Sequence, residues 1–128
     1  MEAPFQKLIV WQRAMQLVRM VYAVSKKFPA DERYALTDQL RRAVTSIPSN
    51  IAEGYGRSSN GDYGHFLSIT RGSLFETMTQ LQIAKDLGYI TDASPELSEL
   101  LSEVGKMLTA LQKKYCNIQC TPTPKPYA

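Results

Sequence analysis

The sequence has few of the residues that carry catalysis and metal binding. Its 128 residues include one histidine, His65, and two cysteines, Cys116 and Cys120. These three side chains cannot supply the four ligands of a usual zinc site, and two cysteines do not make a disulfide scaffold. We therefore expect two free thiols, no bound metal and no cofactor.

The motifs of nucleotide-binding and hydrolytic enzymes are also missing. There is no glycine-rich phosphate loop, and Gly54 and Gly56 are followed by Arg57 instead of a third glycine in register. Gly72 lies inside a helical pattern, where a nucleophile elbow does not form. The Glu-x-x-His pattern of di-iron bundles does not occur. We expect that the protein is not an enzyme and takes no small-molecule substrate.

Long apolar runs are absent as well. No stretch approaches the roughly 20 apolar residues that a membrane-spanning helix requires. The first four residues lack the basic and apolar segments of a secretory signal. The sequence therefore predicts a cytoplasmic protein that does not contact membranes. Hydrophobic residues make up 44% and charged residues 21%, which suits one globular domain.

An apolar residue recurs every three or four positions through almost the whole chain, which is the helical period. The pattern predicts helices over residues 8–28, 36–55, 60–87 and 95–115. Four amphipathic helices with short connections predict an all-α fold, an antiparallel up-down four-helix bundle within residues 1–116. The proline-rich residues 117–128 predict a disordered tail.

Particular residues mark the ends and faces of these helices. Ser59 and Ser94 are predicted N-caps, Gly88 a left-handed C-cap, and Pro48 a kink inside the second helix. The predicted core face of the first helix is Leu8, Trp11, Met15, Val18 and Tyr22, widened by Ala14, Leu17 and Val21. The predicted core face of the third helix is Tyr63, Phe66, Leu67, Thr70, Leu74, Met78, Leu81 and Ala84.

The third helix carries further apolar residues away from that face. Ile69, Phe75 and Ile83 flank Gly72, where the missing side chain lets another backbone come close. Packing within one bundle is the alternative. Because each helix of a four-helix bundle needs only one inward face, we favour a subunit contact, with Ile69, Gly72, Phe75 and Ile83 as the oligomer interface.

Positive charge is concentrated in the first part of the sequence. Residues 1–71 hold ten Lys/Arg against six Asp/Glu, whereas residues 72–128 hold five against six. The first predicted helix has four basic residues and no acidic residue. A solvated face is one interpretation, and phosphate binding is the sharper one. The candidate phosphate contacts are Arg13, Arg19, Lys26, Lys27, Arg41, Arg42 and Arg57.

A polar stripe follows the second helix. It consists of Gln39, Ser46, Ser49, Asn50 and Glu53, with Arg42 beside them. Small polar groups of this kind form either a buried network at an interface or an ordinary solvated face. The sequence leaves both interpretations open.

Several segments together resemble a known family. They are Leu8 to Ala14, Gln39 to Arg57, Phe66-Leu67, Gly72 to Leu74 and Leu87 to Ile90. They are similar to the four-helix bundle proteins of the 23S rRNA intervening-sequence family, and the second segment is the most specific. In the third helix, Met78 stands where the family commonly has a second glutamate, so a carboxylate pair at that point is not available here.

The resemblance implies a four-helix bundle assembled as a ring-shaped homopentamer without enzymatic activity. Some members are encoded inside insertions in 23S rRNA genes. The family also looks related to the accessory proteins of diversity-generating retroelements, basic pentamers that bind a reverse transcriptase and nucleic acid. Two functions follow as expectations: a homo-oligomer that associates with RNA through a basic surface, and a protein–protein adaptor ring without nucleic-acid binding.

Overall fold

A computed structural model describes residues 2–115, and in this range it contains four α-helices and no strand. The helices are α1 (Ile9–Ser25), α2 (Leu36–Tyr55), α3 (Asn60–Asp86) and α4 (Pro95–Tyr115), with short 3-10 turns at Pro4–Lys7 and Ala30–Glu32. The predicted all-α fold with four helices is therefore confirmed. The predicted tail 117–128 and both cysteines lie outside the described residues. Within 2–115, no helix has both the length and the hydropathy to cross a membrane.

Serine side chains cap the N-termini of α3 and α4 as predicted. The Ser59 hydroxyl accepts a hydrogen bond from the backbone N–H of Asp62 at 3.1 Å. The Ser94 hydroxyl accepts one from the backbone N–H of Leu97 at 3.2 Å. Each cap satisfies a donor that would otherwise have no partner in the first helical turn.

Gly88 ends α3 in the left-handed conformation, with φ of 79°. The N–H of Tyr89 donates to the carbonyl of Ala84 at 2.9 Å, and the N–H of Gly88 donates to the carbonyl of Lys85 at 3.0 Å. These two bonds satisfy carbonyls at the end of the helix and turn the chain towards α4.

We predict that Gly88→Ala lowers the free energy of unfolding by about 1 kcal/mol, because a Cβ atom disfavours the left-handed region. The measurement is urea unfolding followed by circular dichroism. Gly61→Ala is the matched control: Gly61 lies in the first turn of α3 without positive φ, and an added Cβ meets nothing within 4 Å. Equal stability of Gly88→Ala and the wild type would contradict the role assigned to Gly88.

The four helices enclose one apolar core. α1 and α3 each pack against both α2 and α4. Every helix contributes side chains with almost no exposed surface, among them Leu17, Leu40, Leu74 and Leu108. The burial of these residues supplies the main driving force for folding.

The predicted core face of α1 is partly wrong, because the buried residues lie to one side of the predicted central stripe. Its buried residues are Val10, Ala14, Leu17, Val21 and Ser25. The predicted central stripe, from Leu8 to Tyr22, is only half-buried and packs against the edge of the core. α1 has two neighbouring helices, so its apolar surface extends round two sides and the residues predicted to widen the stripe lie at its centre.

The buried face of α3 also differs from the predicted one, in one residue that is exposed and in two that are buried. Met78, predicted to lie in the core, is 42% exposed. Thr77 and Gln80 are buried instead. The Thr77 hydroxyl donates to the carbonyl of Ser73 at 2.8 Å, which satisfies it without a partner from another helix.

α2 continues through Pro48 as a single helix, as predicted, and Pro48 is buried. Towards its end, α2 approaches α3 very closely at Gly54. A Cβ atom built on Gly54 would lie 2.6 Å from the Cβ of Phe66. Only a glycine fits between the two helices at this point.

Candidate functional site

Arg13 forms an ion pair that joins two helices. Its Nε donates to Oε1 of Glu103 at 3.0 Å, and its Nη1 donates to Oε1 of Gln16 at 3.3 Å. Glu103 lies on α4, so this ion pair joins α1 to α4. The side chain of Arg13 is 39% exposed in this pair, so it is accessible only in part, and its role as a phosphate contact stays a prediction.

Arg41 likewise joins two helices. Its Nε donates to the hydroxyl of Ser25 at 2.9 Å, and its guanidinium lies 4.8 Å from the ring centroid of Tyr22. Both partners belong to α1. Arg41 therefore positions α1 against α2, and only part of its side chain is accessible to a ligand.

Arg42 and Arg57 form ion pairs with acids one turn earlier on α2. Arg42 lies 3.1 Å from Asp38 and Arg57 lies 3.0 Å from Glu53. Exposed pairs at this spacing are worth only a few tenths of a kcal/mol, so a phosphate could compete for either arginine. The Arg57 guanidinium also lies 4.9 Å from the ring centroid of Phe66, which holds it beside α3.

Three of the predicted contacts remain as an accessible group: Arg19, Lys26 and Lys27, which we call the α1 basic strip. All three are exposed, and none has an ion-pair partner within residues 2–115. Arg19 and Lys26 stand seven residues apart, about two helical turns, so they lie on one face. Lys26 caps the C-terminus of α1, where a cation also stabilises the helix dipole.

The polar stripe of α2 makes hydrogen bonds with its own helix. The hydroxyls of Ser46 and Ser49 donate to the carbonyls of Ala43 and Thr45, and the Asn50 amide donates to the carbonyl of Ser46, at 2.8 to 2.9 Å. Gln39, Ser49 and Glu53 are exposed. In the single chain the stripe is therefore a solvated face, with the acceptor oxygens of its hydroxyl groups still available.

The apolar residues predicted for an oligomer interface lie on the surface of the chain. Ile69 is 40% exposed, Phe75 50% and Ile83 41%. A Cβ atom added to Gly72 would meet nothing within 4 Å. The bundle itself therefore does not require a glycine at this position, and packing within one bundle accounts for only part of the surface of these side chains.

The four predicted interface residues lie within one arc of about 120° on α3. Ile69 and Ile83 are fourteen residues apart, close to four full turns, and lie on the same face of α3. Phase differences place Phe75 about 120° from Ile69, and it lines a groove between α3 and α4 with Leu101 and Gly105. Gly72 lies about 60° from both Ile69 and Phe75, so the assignment of all four residues to an oligomer interface stays a prediction. We call Ile69, Gly72 and Ile83 the apolar strip, and we describe Phe75 with the groove.

Three tyrosines meet at one end of the bundle, which the sequence pattern did not predict. The ring centroid of Tyr63 lies 6.1 Å from that of Tyr55 and 4.6 Å from that of Tyr115. Burial raises the pKa of the Tyr63 hydroxyl, and the neighbouring hydroxyls of Tyr115 and Tyr55 raise it further. The cluster joins the end of α2 to the start of α3 and the end of α4, a structural role.

His65 is exposed, and its ring lies 5.9 Å from that of Phe66. Within residues 2–115, no three His, Cys, Asp or Glu side chains are grouped closely enough to hold a metal ion. The features that distinguish the surface are instead the α1 basic strip, the polar stripe and two exposed apolar areas on α3. These define an all-α four-helix protein whose candidate sites are binding surfaces.

Comparison with known proteins identifies the family. The family model described as 23S rRNA-intervening sequence protein matches residues 6–110, and the chain belongs to this family. The fold is similar to the crystal structure of a Bacteroides thetaiotaomicron protein of unknown function from the S23 ribosomal protein family. That similarity has a TM-score of 0.59 at 22% identity and covers 84% of this chain and 94% of the other. A search of curated proteins finds no match.

Proposed function

We propose that this protein is a non-enzymatic, homo-oligomeric bundle protein of the cytoplasm that associates with RNA through the α1 basic strip. The observation that carries the proposal is the outer face of α1, where Arg19 and Lys26 are exposed on a helix without any acidic residue. Cations on one accessible face attract the phosphate backbone and need no base-specific contact.

The proposed architecture is an antiparallel up-down bundle assembled as a ring, with the number five taken from the family resemblance. Contacts between helix ends support the up-down order. Tyr63, at the start of α3, contacts Tyr115, at the end of α4. Arg41, near the start of α2, bonds Ser25, at the end of α1.

Assembly would strengthen an otherwise modest charge. One chain has a formal net charge of +3, so five chains carry +15. A symmetric ring repeats the α1 basic strip around its axis and concentrates the positive field on one macromolecule. The affinity for RNA should therefore depend on assembly as well as on the cations themselves.

The test is the double substitution Arg19→Glu, Lys26→Glu, titrated with single-stranded RNA of several sequences at a series of salt concentrations. We expect weaker binding for all sequences alike, because phosphates are sequence-independent. The slope of log affinity against log salt should become shallower by about 0.7 for each lost phosphate contact. Filter binding or fluorescence anisotropy measures both quantities.

Two controls make the result specific. Lys85→Glu reverses a cation on α3 that is paired with Asp92, and it should leave the salt slope unchanged. Sedimentation must show that the double variant keeps the mass of the wild type. If wild-type protein binds no RNA at low salt, or if Lys85→Glu has the same effect as the double variant, the proposed RNA-binding surface is wrong.

A second candidate function is a protein–protein adaptor ring. The exposed apolar side chains of Phe75 and Met78 favour it, since a single soluble chain gains nothing from exposing them together. This function does not need the α1 basic strip, so the RNA titration separates the two candidates.

A further inference from the structure

A groove runs along the outside of the bundle between α3 and α4. Phe75 and Met78 line it from α3, and Leu101 and Gly105 line it from α4, around a cavity of about 470 Å³. A second pocket of about 390 Å³ shares Met78 and Leu101 with the first and continues towards Lys85. Because they share these two residues, the two pockets adjoin, and we describe them together as one groove.

The dimensions of the groove suit a short helix. Its α3 wall extends from Arg71 to Lys85, fifteen residues whose Cα atoms rise about 21 Å from first to last, or nearly four helical turns. Large side chains stand on the α3 wall, whereas α4 presents small residues such as Gly105 and Ala110. A helix laid into this groove could bury apolar side chains at spacings of three, four and seven residues.

The charges around the larger pocket of the groove have one sign. Arg71, Lys106 and Lys113 stand at the rim of the larger pocket, and none of the residues that line this pocket is acidic. The Arg71 guanidinium lies 5.2 Å from the ring centroid of Phe75, which places a positive charge directly beside a large apolar side chain that is 50% exposed. In the second pocket, the one acid is Asp92, which is paired with Lys85.

We propose that this groove binds an amphipathic helix of another protein, with apolar residues on one face and glutamate or aspartate residues along its flanks. Phe75 and Met78 are the apolar anchors, and the three cations at the rim pair with the acidic flanks and set the orientation of the helix. The proposal does not rest on RNA binding, because the α1 basic strip lies on a different helix. A phosphate backbone would use the rim and leave the apolar floor uncovered.

The probes are three labelled peptides of about 18 residues, long enough for five turns. The first has leucines along one face and glutamates elsewhere; the second has lysines in place of the glutamates; the third has serines in place of the leucines. Fluorescence anisotropy should show the acidic peptide binding at least about tenfold more tightly than the basic one, and no binding of the serine peptide. Raising the salt should weaken the preference.

Variants locate the binding site. Phe75→Ala should weaken binding of the acidic peptide by about tenfold or more, as expected for an aromatic anchor. Lys106→Glu with Lys113→Glu should reverse the preference between acidic and basic peptides. Ile9→Ala, which shortens a similarly exposed apolar residue on α1 and outside the groove, should leave the affinity for the acidic peptide unchanged. Arg19→Glu with Lys26→Glu should keep peptide binding, which separates this proposal from RNA binding.

Four results would overturn the proposal. The acidic and basic peptides could bind alike, or Phe75→Ala could bind as tightly as the wild type while circular dichroism shows an intact fold. Phe75→Ala could also lower the mass measured by sedimentation, in which case a second copy of the chain covers the groove. Competition of an RNA oligonucleotide for the Phe75-dependent site would assign the groove to RNA.

Discussion

Gly54→Ala should lower the free energy of unfolding by about 1–3 kcal/mol, although alanine is the better helix former by about 1 kcal/mol. The added Cβ would lie 2.6 Å from the Cβ of Phe66 and 3.2 Å from Cδ1 of Tyr63. The Phe66 Cβ is fixed to the backbone of α3, so it cannot move aside like the end of a long side chain. Relief of this overlap requires α2 and α3 to separate. Urea unfolding followed by circular dichroism measures the change.

Gly72→Ala is the matched control, because it places the same methyl group inside a helix where an added Cβ meets nothing within 4 Å. We expect it to raise the stability of the isolated fold by about 0.5–1 kcal/mol through helix propensity alone. The two glycines should therefore give changes of opposite sign. If Gly54→Ala is as stable as the wild type, the close approach of α2 and α3 is wrong.

Ile69→Glu combined with Ile83→Glu should convert the proposed ring into single chains. Burial of an isoleucine side chain is worth about 1.5–3 kcal/mol, and a charged group buried without a partner is costly. A ring contact repeats this loss at every interface. Sedimentation equilibrium should show a decrease from about five chain masses, the number that the family resemblance implies, to 14.4 kDa, with helicity retained.

Phe75→Glu is the control for that experiment. Phe75 is 50% exposed, but it lines the groove beside α4 and not the strip of Ile69, Gly72 and Ile83. We expect Phe75→Glu to keep the mass of the wild type. A wild-type mass of one chain would contradict the oligomer, and a wild-type dimer would contradict the ring, because a two-fold contact pairs identical surfaces.

Helix positions could be predicted from the sequence because local signals determine them. The predicted range 36–55 agrees with α2, and the predicted caps Ser59 and Ser94 make the expected hydrogen bonds. α1 ends at Ser25, earlier than the predicted residue 28. The two 3-10 turns were not predicted, because each is shorter than two helical turns and shows no apolar period.

It was harder to predict which side of each helix faces the core. The period of α1 does not show which of two adjacent apolar strips lies towards the centre, because both contact neighbouring helices. In α3 the buried Thr77 carries a hydroxyl that bonds to its own helix, and such a residue is polar in the sequence but acceptable in the core. Burial of this kind depends on tertiary packing and leaves no periodic signal.

The candidate surfaces were predicted only in part for a related reason. The sequence indicates that α1 is basic, but it does not show that Arg13 meets Glu103, ninety residues away. The groove could not be predicted at all, because its walls come from two helices and its cations from Arg71, Lys106 and Lys113. Accessibility of a charge is a property of the packed helices.

The close approach at Gly54 also bears on the order of folding. Gly54 and Phe66 are twelve residues apart, and Tyr55 and Tyr63, which contact each other, are eight apart. The loop between α2 and α3, residues 56–59, is short, so the chain loses little entropy when these contacts form. Contacts of short sequence separation form early and favour rapid folding. α2 and α3 can thus associate before α1 and α4 meet, and the close approach at Gly54 lies beside the shortest connection between two of the four helices.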